Sequence, residues 1–311
     1  MWRYIGKRLL ALIPVIIGVT FIVFMILNLA PGDPAISILG EQAPAEAVEQ
    51  LREEMGLNDP LLVQYGRYMI KLVQGDMGMS YKSKTPVSKE IVARIPTTSI
   101  VAVTAIAIAL IFAVPLGIIA AIKQNTWVDG VTMFVALLGV SMPIFWSGMI
   151  LILIFSLKLG LLPVAGASSW KSFVLPSISL GFQAMASIAR ITRSSMLEVI
   201  RQDYIRTARA KGLPEKVVIG KHALKNALIP TVTSAGLQLG FLLSGAVLTE
   251  TVFSLPGIGR FMIASVNARD IPAVMGCILF FTIVFTVVNL LVDILYGFLD
   301  PRIKAAYAQE S

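Results

Sequence analysis

The sequence predicts an all-α membrane protein with about six transmembrane helices and both termini in the cytoplasm. Three observations carry this. Only 14% of the 311 residues are charged and 56% are hydrophobic, with a mean hydropathy of +0.81, whereas a soluble domain has about 25% charged residues. Six stretches free of Asp, Glu, Lys and Arg span 9–32, 95–122, 130–157, 172–189, 226–249 and 271–292, close to the ~20 residues a helix needs to cross a bilayer core. Barrel strands would be about ten residues long and alternate in polarity, which these stretches do not. Finally, the two long intervening loops carry opposite net charge.

The first part, 1–30, opens with Arg3, Lys7 and Arg8 and no acid, which places the N-terminus in the cytoplasm by the positive-inside rule. The apolar run that follows is longer than the h-region of a signal peptide and no clear small-residue cleavage site follows it, so it reads as a retained span.

The second part, 31–94, holds nine acids against seven bases and is expected outside. It is expected to be folded. Pro44 can start a helix, Ala45, Val48, Leu51 and Met55 recur at helical spacing, and Gly56 can close it. A second amphipathic helix follows Asp59-Pro60 through Leu61, Leu62, Tyr65, Met69 and Leu72 to Gly75. Two readings stay open, a platform for a delivery protein and a cap over the span ends.

The third part, 95–311, is the transmembrane core. Its third span is broken up by Ser141, Met142 and Pro143, where proline frees a carbonyl that can line a cavity or merely kinks the helix. The fourth span, opened by Pro176, is the shortest. A cytoplasmic loop over 190–228 follows, whose segment 190–225 holds nine bases against three acids. Within it, a helix is expected over 194–211, Gly212 suits a left-handed stop and Pro214 can restart a helix. The resulting elbow would present Ala208, Gly212 and Leu213, flanked by Arg206, Arg209 and Lys216, to a cytoplasmic protein; a hairpin lying on the lipid surface is the alternative. Membrane orientation accounts for the basic excess. No basic and aromatic alternation of the kind that stacks bases is present, so no nucleic-acid partner is expected.

In the fifth span Gly236, Gly240 and Ser244 share one face, which suits close helix packing, with Gln238 and Ser244 as alternative candidates for a polar path. Asp293, toward the cytoplasmic end of the sixth span, is expected to pair with a basic residue, and Glu250 to act in packing or gating.

Chemistry of its own is not expected of this chain. One Cys (Cys277) and one His (His222) exclude an internal disulfide and most zinc or haem sites. Neither Gly-Lys pair, Gly6-Lys7 or Gly220-Lys221, is followed by the Ser or Thr of a phosphate-binding loop. Energy must come from a partner or an ion gradient.

The elbow, Tyr204-Ile-Arg-Thr-Ala-Arg-Ala-Lys-Gly-Leu213 with His222-Ala-Leu-Lys-Asn-Ala-Leu-Ile-Pro230, resembles the loop of binding-protein-dependent ABC importer permeases of the dipeptide, oligopeptide, glutathione and nickel group. Matching segments are Pro31-Gly-Asp-Pro34, Gly75-Asp-Met-Gly-Met-Ser80, Thr249-Glu-Thr-Val-Phe-Ser-Leu-Pro-Gly-Ile-Gly-Arg260, Asn289-Leu-Leu-Val-Asp293 and Leu299-Asp-Pro-Arg302. Against the wider superfamily loop the chain keeps Ala208, Gly212 and Leu224, and departs at Arg206, Thr207, His222 and Lys225.

The resemblance implies the type I ABC importer permease fold, in a bacterial inner membrane. It makes the elbow, with Arg206, Thr207, Ala208, Gly212, Leu213, Pro214, Glu215 and Lys216, a coupling helix seated on an ATPase. Implied partners are a second permease, two ATP-binding subunits holding ATP and Mg, and an extracytoplasmic solute-binding protein. Ser141, Met142, Pro143, Gln238 and Ser244 are the candidates for the translocation path. Peptide is the expected solute, with glutathione and nickel open. The rival classes are an ion-coupled secondary transporter and a structural scaffold.

Overall fold

A computed structural model describes residues 2–29, 32–40 and 42–299. Pro31, Asp300, Pro301, Arg302 and the C-terminal tail, whose cytoplasmic placement was expected, lie outside the described residues. Helix α1 (Trp2–Leu29) is followed by three shorter helices, α2 (Pro34–Leu39), α3 (Ala45–Met55) and α4 (Leu61–Val73). These form a cap at one end of the bundle. Gly56 closes α3 in the left-handed conformation (φ +65) and Gly75 turns the chain after α4 (φ +83), as their lack of Cβ allows.

The core begins with α5 (Val87–Ile122) and α6 (Trp127–Ser141), then α7 (Ile144–Leu151), which continues as a π-helix over Ile152–Lys158. Helix α8 (Val174–Ile200) leads into the elbow: α9 (Asp203–Ala210), the short α10 (Glu215–Val217) and a π turn over Val218–Ala223. Helix α11 (Leu224–Gly245), α12 (Val247–Val252), α13 (Ile258–Asn267) and α14 (Ile271–Leu299) complete it. Among the described residues five helices are long and apolar enough to cross a membrane. A sixth crossing exists only if α6 and the α7 segment count as one, and these meet at 103°.

The break expected in the third span is present: the chain is extended at Met142 (φ −82, ψ 127) and Pro143 (φ −60, ψ 136), because proline disfavours helical geometry in the residue before it. Two other expectations are corrected. The fourth span is longer than 172–189, running to Ile200 with Arg190 and Arg193 inside it. Counting charges cut it short, since a charge that faces an open cleft, as Arg190 does, or a partner, as Arg193 does, need not end a helix. The helix expected over 194–211 is interrupted at Arg201 and Gln202, where α9 turns aside so that Ile205 can pack beside Met196, Ala121 and Val218.

The centre of the bundle is the α5 and α8 pair. Along α5, Ala102, Ala105, Ala109 and Ala113 are buried, meeting Leu180, Ala184 and Ile188 of α8. A Cβ on Gly181 would lie 2.6 Å from the Ala105 carbonyl oxygen, and one on Gly117 would lie 2.7 Å from that of Ala189. Such residues let backbones touch where lipid offers no hydrophobic drive. Helix α11 packs across α8 and against α14. Gly236 faces Val292 and Gly240 faces Phe285, so the small-residue face of span five serves packing within the chain. Helices α1 and α14 flank this core, joined by the Arg8–Asp293 ion pair at 3.0 Å, which is the pairing expected of Asp293.

Candidate functional site

The elbow stands at the end of the bundle opposite the cap. Lys211 ends α9, and Gly212 follows in the left-handed region (φ +76) with no heavy atom within 4 Å of where a Cβ would stand. Its role is therefore conformational, not steric. Pro214 is extended (φ −62, ψ 142) and caps α10, so the helix begins at Glu215, one residue later than expected. Across the turn Arg209 donates to Glu215 through Nε (3.1 Å) and Nη2 (2.7 Å), and those hydrogen bonds raise the Arg209 guanidinium above its ordinary pKa.

Arg206, Thr207, Gly212, Leu213, Pro214, Glu215 and Lys216 are all exposed. Ala208 is not. It is buried beside Ile205, Val218 and Ala223, so the residue expected to face a partner instead seats α9 on the π turn. On a helix of 3.6 residues per turn, Ile205 and Ala208 share one face and Arg206 and Arg209 lie off it.

At the same end of the bundle Arg193 of α8 reaches α6, its Nε and Nη2 each donating at 2.6 Å to one of the two oxygens of Asp129. Asp129 is nearly buried and also accepts from the Asn125 amide at 3.1 Å. The pair fixes the start of α6 to α8, one helical turn beyond Arg190. Sequence reading passed over Asp129 because its partner lies 64 residues away.

Toward the middle of the bundle, α8, α11 and the broken α6/α7 pair enclose an open cleft of about 440 Å³. Gln238 lines it, and so do Val140 and Ile144, on either side of the Ser141-Met142-Pro143 break. Ser244 does not: its hydroxyl donates to the Gly240 carbonyl of its own helix at 3.1 Å. The cleft's other polar wall was missed. Gln183, Ser187 and Arg190 stand at i, i+4 and i+7 on α8, one helical face, a pattern readable in the sequence had the span not been cut at residue 189.

Two buried carboxylates organise the cap end. Glu250 is fully buried and accepts from the Thr98 hydroxyl (2.7 Å) and the Arg260 amide (2.9 Å), while the Ile258 amide donates to Thr98 Oγ1 at 3.0 Å. It holds the start of α13 against α5. Asp270 accepts from the Ser80 hydroxyl, from the Lys82 amide at 3.3 Å and from the Ala273 amide at 3.3 Å, pinning the Gly75–Ser80 motif to α14. In the cap, Asp33 accepts from the Ala35 amide at 2.8 Å and from Arg52 Nε at 2.7 Å. The segments around Asp33, Gly75–Ser80 and Thr249–Arg260 thus serve, in this fold, mostly as fastenings.

A family model described as the binding-protein-dependent transport system inner membrane component matches residues 113–305, and the N-terminal model of the same systems matches 1–104. The chain belongs to this family. It is a multi-pass inner-membrane permease component. The chain is 48% identical to the dipeptide transport system permease protein of Alkalihalophilus pseudofirmus, over 98% of this chain and 100% of that one. It is 45% identical to the glutathione transport system permease protein of Escherichia coli, over 98% and 99% of the two chains. A solved structure titled as an amino acid ABC transporter with histidines superposes with a TM-score of 0.52 at 14% identity, covering 69% of the permease and 94% of that chain. That likeness concerns the fold.

Proposed function

We propose that this permease is one of two membrane subunits of an ATP-driven importer that receives peptide-like solute from an external binding protein. The observation that carries the proposal is the elbow. It projects an exposed polar and basic surface from a buried Ile205–Ala208 seat, and that seat adjoins α8, whose opposite reach lines the cleft. A push at the elbow is thus transmitted along a rigid helix to the cleft wall.

In this reading two ATP-binding subunits, holding ATP and Mg, grip the elbow through Arg206, Thr207, Leu213 and Lys216. The second permease closes the open cleft into a path, and the cap faces the binding protein. The loop charges orient the elbow to the cytoplasm. The similarity to a dipeptide permease and a glutathione permease supports a peptide as solute, since glutathione is itself a tripeptide.

The test is affinity capture of the tagged permease from its native membrane, followed by uptake assays in proteoliposomes. Recovery of a second permease and two ATPases, with vanadate-sensitive uptake that survives collapse of ion gradients, is expected. Recovery of the permease alone with gradient-driven uptake would overturn it.

A further inference from the structure

The cleft between α8, α11 and the α6/α7 break has one charged residue in its wall, Arg190. Gln183 and Ser187 continue its line along α8, and Gln238 faces them from α11, while Val140 and Phe241 supply apolar rims. Arg190 is exposed, and among the described residues no acidic side chain forms an ion pair with it. The contrast with Arg193 is sharp: one turn away, Arg193 is satisfied by both oxygens of Asp129. Arg193 is thus fastened within the fold, and Arg190 is left facing open space.

Arg190 lies one helical turn nearer the middle of α8 than Arg193, whose partner Asp129 stands in the first turn of α6. A guanidinium on a spanning helix is costly if its face meets hydrocarbon, and such groups face a protein interior or a water-filled cavity. The polar line from Gln183 to Arg190 gives the same answer, because a lipid-facing stripe would be apolar. An arginine fork is built to receive a planar anion through two parallel hydrogen bonds.

Resting on the importer reading above, we infer that Arg190 is a specificity-determining contact for solute. It receives the carboxylate of a peptide-like solute as it passes the cleft, with Gln183, Ser187 and Gln238 offering neutral hydrogen bonds to the amide backbone. The site favours solutes with a free carboxylate over their neutral amides. A short polar line serves passage better than a closed pocket, since the solute must also leave.

The experiment uses the complete importer in proteoliposomes with its binding protein and compares ATP-driven uptake of alanylalanine with that of its C-terminal amide, each at saturating binding protein. In Arg190→Gln the ratio of acid to amide uptake is expected to fall about ten-fold, the worth of one charge-assisted hydrogen bond. Arg190→Lys should retain most of the ratio. Arg190→Cys should lose it and regain it after reaction with aminoethyl methanethiosulfonate but not with the sulfonatoethyl reagent. Cys277, being buried, leaves the unsubstituted chain as the control.

An unchanged ratio, or equal loss of both solutes in Arg190→Gln, would overturn the inference and make Arg190 an assembly residue. Absence of ATP-driven uptake by the unsubstituted importer would instead overturn the importer reading itself.

Discussion

The Glu250 carboxylate accepts a hydrogen bond from the Thr98 hydroxyl at 2.7 Å, across 152 residues of sequence. Around this contact the first turn of α13 is organised. The Arg260 amide donates to the other carboxylate oxygen, and the Ile258 amide donates to Thr98. Gly257 has to be glycine here, because a Cβ would lie 2.1 Å from the Glu250 carboxyl carbon. Glu250→Ala leaves a buried hydroxyl and amide without an acceptor, and each such group costs about 1–3 kcal/mol. A clear drop in the detergent melting temperature is expected, with Glu250→Gln intermediate. Glu250→Ala and Thr98→Val together should destabilise less than the sum of the two. Additive losses would show that the contact is not a unit.

Asp129 and Arg193 make the analogous fastening at the elbow end. Arg193→Ala strands a nearly buried carboxylate and is expected to cost about 3–5 kcal/mol, whereas replacing both partners by apolar residues of similar volume should cost much less. Thermal unfolding of the purified permease checks this. Equal melting temperatures for Arg193→Ala and the double replacement would refute it.

Gly212 holds a left-handed conformation in open space. Gly212→Val should abolish uptake with membrane insertion intact, because a β-branched residue in the left-handed region is strained by roughly 1–3 kcal/mol and relieves that strain by moving the turn. Gly212→Asn, which tolerates the conformation, should transport near normally. The measurement is uptake normalised to permease in the membrane, and equal uptake by the valine and asparagine variants would exclude the backbone explanation.

Two glycines should respond differently to one added methyl. Gly181→Ala drives a Cβ against the Ala105 carbonyl, and overpacking of this kind costs about 1–3 kcal/mol. Gly220→Ala meets nothing within 4 Å and should be neutral or mildly stabilising, since alanine is favoured over glycine in helices by about 1 kcal/mol. Paired melting curves in detergent decide between these outcomes.

Several features were legible in the residues alone for a local reason. Absence of charge over bilayer length requires helices, because backbone groups in hydrocarbon must be satisfied within the segment. Stops at Gly56 and Gly212 and the break at Pro143 follow from which backbone angles each residue allows. The motifs from Tyr204 to Pro230 and from Thr249 to Arg260 were enough to indicate the family.

What only the tertiary structure decided concerns partners far apart in the chain. Period places Ile205 and Ala208 on one helix face, yet not whether that face meets a partner or the π turn. Arg190 and Arg193 look alike in sequence, and the position of Asp129 alone makes one a fastening and leaves the other facing the cleft. The reach of α8, the role of Glu250 and the cleft wall of Gln183, Ser187 and Arg190 were hidden for the same reason. The energy of a charge or a polar group in a membrane protein is set by what stands opposite it, and that is a property of the packed fold.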